Sequence, residues 1–197
     1  MNKNEFRKRY FKTLKIFFKE LKKAKYFIKK FKSNNKDVMS PQFQEKIILA
    51  VCGVNSCVNC SYLHTKNALE QGVNDEEIRN LLKGELGDFP EQEAVALVYS
   101  QHWAESGGLP IVKAKEKMIE YYGKQKAEKI EALIQLVTVG NLISNTVEAY
   151  KFNPNLTDSR IIFLLTYIIC LPIAKLIKIS GKKGKRYLLE REIDLLK

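Results

Sequence analysis

Apolar residues recur at steps of three and four from Phe6 to Phe31, at Phe6, Tyr10, Leu14, Phe17, Leu21, Ala24, Ile28 and Phe31, and lysines and arginines fill most of the gaps. That spacing predicts one long amphipathic basic helix. Ser33, Asn34 and Asn35 break the pattern, and Ser40-Pro41 opens a second helix with a capping serine and a proline at its first position. This helix runs roughly to Cys52. It is apolar on several sides, at Ile47, Ile48, Leu49 and Val51, which predicts a central place in the fold. Gly53 and Asn55 mark a break before a third helix, which passes through Cys57, Cys60 and His64 to about Gln71 and stops at Gly72.

Asn74 followed by Asp75, Glu76 and Glu77 is an N-terminal cap signal, because acids complement the positive end of a helix dipole. A short helix to about Lys83 follows, then a Gly-Asp-Phe-Pro connection and a helix from Glu91 to about Glu105. Gly107, Gly108 and Pro110 punctuate the chain before a helical stretch to Tyr122, and Gly123 precedes a long helix from about Lys124 to Tyr150. No segment alternates with period two between hairpin turns. The pattern therefore predicts an all-α fold, a compact helical bundle with an N-terminal amphipathic helix and a C-terminal helical extension.

Ile161 to Ala174 is a run of 14 residues without charge. A bilayer span needs about 20 apolar residues, so a buried core helix is the simpler reading. Pro172 interrupts the run, and extending it to Ile179 admits Lys175 and Lys178. Lys182, Lys183, Lys185 and Arg186 then form a polybasic patch that keeps peripheral membrane contact open, with 161–179 as core, interface or anchor. Arg186 to Lys197 reads as one more amphipathic helix.

The formal charge of +12 is concentrated in one place, since residues 1–36 hold 14 Lys and Arg against Glu5 and Glu20. The rest of the chain balances. A neutral body with a basic arm directs any electrostatic partner to the arm first. Packing of the aromatic stripe on the body or on a neighbouring subunit is the simplest role for it, an interfacial membrane helix the next. Nucleic acid is disfavoured, because no recognition motif accompanies the charge. Nothing at the N-terminus resembles a secretory signal, which makes the cytoplasm the expected compartment, with a peripheral membrane association left open. Four cysteines are too few for a disulfide-stapled scaffold.

The candidate chemistry lies between Glu45 and His64. A helix starting at Cys57 places Cys57, Cys60 and His64 at i, i+3 and i+7, on one stripe. Two cysteines three apart at a helix N-terminus can form a disulfide, and the dipole there stabilises a thiolate. His64 can take the thiol proton, and a tight turn at 53–56 can return the Glu45 carboxylate to the imidazole. Haem attachment fails on the spacing between Cys60 and His64, a thioredoxin fold fails on the helical surroundings, and zinc lacks a second ligand pair with the right spacing among Cys52, Cys170 and His102. Cys52 reads as a packed small residue within conceivable reach of disulfide exchange, Cys170 as inert, and His102 as packing.

The spacing Glu45, eleven residues, Cys57-x-x-Cys60, three residues, His64 resembles the motif of the alkylhydroperoxidase D-like branch of the carboxymuconolactone decarboxylase family. The flanks agree, in Ile48 to Val51, in Gly72-Val73-Asn74 with Asp75 to Ile78, and in the acidic and apolar segment Glu91 to Tyr99. The resemblance covers about 40–152, and leaves a basic arm at 1–36 and an extension at 157–197. It implies an all-helical homo-oligomer acting as a thiol peroxidase on hydroperoxides or as a disulfide reductase. Cys60 would be the peroxidatic cysteine, Cys57 would resolve it, and Glu45 with His64 would relay protons. It further implies a dithiol reductant, such as a lipoyl or thioredoxin-like protein, with no cofactor and no metal. Some peroxidase members carry a histidine just before the second cysteine, where this chain has Asn59, which cannot shuttle a proton at neutral pH. The competing reading is a membrane-associated or scaffold protein whose dithiol is not catalytic.

Overall fold

The computed structural model describes residues 6–33, 39–87, 89–156 and 160–179, with side chains as far as Ile169. Seven helices form among these residues: α1 (Leu14–Ser33), α2 (Pro41–Val54), α3 (Val58–Glu70), α4 (Asp75–Lys83), α5 (Glu91–Glu105), α6 (Val112–Phe152) and α7 (Arg160–Ile179). There is no strand among them, so the all-α expectation holds.

The element that organises the fold is α2. Ser40 Oγ accepts the Phe43 amide at 3.2 Å and Pro41 occupies the first turn, so the helix starts where the sequence says. Phe43 and Ile47 to Cys52 are all buried, and α2 packs against α3, α4, α5 and α6. Lys46 is buried on the same helix, and its ammonium lies 2.8 Å from Glu77 and 2.7 Å from Glu93. Burial pulls the ammonium's pKa down, but hydrogen bonds to both carboxylates and their charges outweigh it and raise it. The ion triad thus fastens α4 and α5 to α2. Asn74 and Glu77 form a complete capping box at the start of α4.

Gly53 does not break α2, which runs on to Val54. A Cβ at Gly53 would stand 2.8 Å from the Leu82 carbonyl oxygen and 3.0 Å from that of Leu81. The glycine is there because α4 approaches α2 backbone to backbone, a need that a turn-based reading of glycine misses. Gly123 does behave as expected, with φ 72° and ψ 157° inside α6. That backbone is open to glycine and costly for other residues, and it divides α6 into two arms.

The predicted helix from Phe6 begins only at Leu14. Thr13 Oγ1 accepts the Ile16 amide at 3.2 Å and stops the helix from growing backwards. Upstream, the backbone bonds sideways to α6: the Phe11 amide donates to Thr146 Oγ1 at 2.9 Å, and the Arg9 carbonyl accepts from Asn145 at 3.1 Å. Phe11 is fully buried there. It joins Phe17, Ala24, Val139, Leu142, Ile143 and Ile162 in a second apolar cluster, apart from the larger one around α2.

The 161–174 run is helical, and the backbone of α7 continues through Pro172 to Ile179 rather than stopping there. Ile162 and Thr166 face inward with no exposure, while Ile161, Leu164, Tyr167, Ile168 and Ile169 are exposed. One window within α6 is long and apolar enough to cross a bilayer by length and composition, yet 78% of it is buried inside the protein, as in a core helix. The expected basic patch at 182–186 and helix at 186–197 lie outside the described residues, as does the side chain of Cys170.

Candidate functional site

The site is built on the turn that joins α2 to α3. The Cys57 amide donates to the Cys52 carbonyl at 3.2 Å and the Ser56 amide to that of Gly53 at 3.1 Å, which bends the chain back on the end of α2. Ser56 adopts φ 51°, a left-handed conformation that few non-glycine residues take. Cys57 is therefore the N-cap residue of α3 rather than its first helical residue. A disulfide joins it to Cys60 one turn in, with Cα atoms 5.3 Å apart. Cys57 is fully buried and Cys60 is partly exposed. Both sulfurs sit at the positive end of the helix dipole, where a thiolate is favoured over the thiol once the bond is reduced.

The same turn brings Glu45 back to His64. Nδ1 of the imidazole lies 2.7 Å from Glu45 Oε2, with both side chains mostly buried. Asn67 Nδ2 approaches the other carboxylate oxygen at 3.5 Å. A carboxylate can only accept, so Nδ1 carries the proton and Nε2 of a neutral ring is left as an acceptor. His64 follows Cys60 by one helical turn on α3. The structure thus gathers all four predicted site residues on two adjacent helices, as one disulfide and one carboxylate–imidazole pair.

A buried amide network holds this turn, and the sequence reading missed it. Asn55 Nδ2 donates to Asn141 Oδ1 at 3.1 Å, and Asn141 Nδ2 points at Cys52 Sγ at 3.4 Å. Asn145 Nδ2 donates both to the Asn55 carbonyl at 3.0 Å and to the Arg9 carbonyl at 3.1 Å. One buried amide therefore ties the turn before Cys57 to the N-terminal segment. Asn59 Nδ2 donates to Ser144 Oγ at 3.1 Å, so the residue before Cys60 docks α3 on α6. The signal in the sequence was the spacing of Thr138, Asn141, Asn145 and Thr146, polar residues at helical steps on an apolar stretch of α6. Buried amides at that spacing need partners, and the partners are the turn.

Cys52 is fully buried with a free thiol. Burial pushes the thiol up to about 12, the Asn141 hydrogen bond pulls it the other way, and the Glu45 charge adds to the rise. Burial and a held proton both remove it from thiol exchange. His102 Nε2 accepts the Ile111 amide at 3.1 Å, which pins the connection between α5 and α6. Among the described residues, no group of three or more His, Cys, Asp or Glu is placed to hold a metal ion.

Residues 26–88 match the model of the carboxymuconolactone decarboxylase family, so the chain carries a domain of that family over this range. The match starts within α1 and ends beyond α4, enclosing Glu45, Cys57, Cys60 and His64. It begins earlier and stops earlier than the 40–152 span expected from the motif and its flanks. Comparison with curated proteins and with solved structures gives no match.

Proposed function

We propose that the carboxymuconolactone decarboxylase family domain at residues 26–88 works in this chain as a dithiol oxidoreductase of the peroxidase type. The observation that carries this reading is the Cys57–Cys60 disulfide at the N-terminus of α3, beside the Glu45–His64 pair. In the reduced protein, the Cys60 thiolate attacks the distal oxygen of a hydroperoxide. The O–O bond breaks, the alkoxide leaves as an alcohol with a proton delivered through His64, and Cys60 becomes a sulfenic acid. Cys57 then attacks the Cys60 sulfur and expels water, which restores the disulfide. Two electrons and two protons from an external dithiol, of the lipoyl or thioredoxin kind, reduce it again. Glu45 holds the imidazole in the Nδ1–H tautomer and stabilises the imidazolium that forms in transit.

The roles of the two cysteines follow their exposure. Cys60 is partly exposed, so a substrate can approach it, whereas Cys57 is fully buried. A second reading, disulfide reduction rather than peroxide reduction, is favoured by Asn59, whose amide is committed to Ser144 and supplies no second proton shuttle. The test is hydroperoxide consumption in the presence of a dithiol. Cys60→Ser is expected to lose it entirely, and Cys52→Ser to keep it; equal activity in the two variants refutes the assignment.

A further inference from the structure

The α1 and α7 helices both pack on α6 and contribute to one apolar cluster, Phe17 and Ala24 from α1 and Ile162 from α7 together with Val139, Leu142 and Ile143 of α6, with Leu14, Leu21 and Leu165 at its margin. What they turn outward is unlike the rest of the surface. On α1 the residues Lys15, Lys19, Lys22 and Lys29 are exposed, and no acidic side chain among the described residues pairs with them. Phe18 and Tyr26 stand among those lysines at 58% and 55% exposure. On α7 the outward residues Leu164 and Ile168 are 53% and 60% exposed, with Ile161 and Tyr167 beside them. A lysine face with embedded aromatics on α1 and an apolar outward face on α7, two helices seated on one cluster, supply the two attractions of an interfacial element: charge toward anionic headgroups and apolar burial at the acyl boundary.

We propose that the outer faces of α1 and α7 together dock this protein on an anionic lipid bilayer. The lysines sit at headgroup level, while Phe18, Tyr26, Leu164 and Ile168 enter the interfacial region. Charge decides between this and the competing occupants. A second copy apposed through the same α1 face would bring lysine against lysine with no acid to offset them. Nucleic acid would use the lysines and gain nothing from Leu164 and Ile168. This inference rests on neither the dithiol nor its chemistry.

The test is flotation of the full-length protein with phosphatidylcholine vesicles, with and without phosphatidylglycerol. Recovery with the anionic vesicles only is expected. Replacing Lys15, Lys19, Lys22 and Lys29 by Gln together, or Leu164 and Ile168 by Ser together, should each weaken it by about tenfold or more. All six positions are exposed, so unchanged helicity by circular dichroism checks that the variants fold. Flotation that is absent, equal on neutral vesicles, or indifferent to either variant overturns the proposal. So does a Leu164/Ile168 variant whose sedimentation mass falls while its vesicle binding stays, because another copy would then be what covers α7. Retention of a DNA or RNA duplex without any vesicle binding overturns it as well.

Discussion

Two helices of this protein use lysine in opposite ways. On α2, Lys46 is almost sealed and spends its charge inside, between Glu77 and Glu93. On α1, Lys15, Lys19, Lys22, Lys25, Lys29 and Lys32 stand in solvent, and among the described residues only Lys23 and Lys30 reach an acid, at Glu20 and Glu128. A paired, buried charge fixes the distance between elements, so the helices around the dithiol keep one geometry. Unpaired, exposed charge fixes nothing within the fold and remains available to a partner. The net charge of +12 therefore comes from the N-terminal 36 residues, and much of it from the exposed lysines of α1.

The sharpest way to break the comparison is to remove one lysine from each side. Lys46→Met strands Glu77 and Glu93 side by side, and should cost about 3 kcal/mol of unfolding free energy, at the low end for a broken buried pair because both acids keep some contact with water. Denaturant titration measures it. The pH dependence follows the same pair. The folded-state pKa of Lys46 lies above its ordinary value of 10.5, so its contribution is complete below that value and fades as pH rises through the folded one. Wild type should lose stability above about pH 10.5 more steeply than Lys46→Met.

Gly53→Ala probes the packing of the same region. The new methyl group meets the carbonyls of Leu81 and Leu82, backbone atoms that cannot rotate away, and should cost about 2 kcal/mol by thermal unfolding. Because Gly53 also accepts the Ser56 amide, the turn that carries Cys57 should shift with it, slowing re-formation of the disulfide. At the small end, Lys22→Gln on α1 should change stability by less than about 0.5 kcal/mol, since an exposed unpaired charge holds nothing in place. A loss comparable to that of Lys46→Met would erase the distinction between the two helices.

Much of this was legible in the sequence, for reasons that are local. Ser40-Pro41, Asn74 with Glu77, and Gly123 each act within a few residues of themselves, and each falls where the pattern places it. The pairing of Glu45 with His64 was legible too, because a short turn between two adjacent helices leaves few ways to arrange them. What escaped depends on elements distant in the chain. Gly53 is explained only by α4, the extended course of residues 6–13 only by Asn145 and Thr146, and Asn59 only by Ser144. Periodicity gave Phe6 to Phe31 as one helix because it counts side chains; the backbone bonds to α6 that overrule it leave no mark on that count.

The most direct test of the dithiol is its fate in one turnover. The reduced protein receives one equivalent of an organic hydroperoxide, is quenched and denatured after a short interval, and is then alkylated and mapped by mass. Loss of alkylation at Cys57 and Cys60 together, with Cys52 still fully modified, is the result predicted from the Cys57–Cys60 pair, with its partly exposed Cys60, and from the buried Cys52 thiol. If Cys57 and Cys60 are alkylated as completely as before peroxide, the dithiol does not reduce it, and the central claim fails.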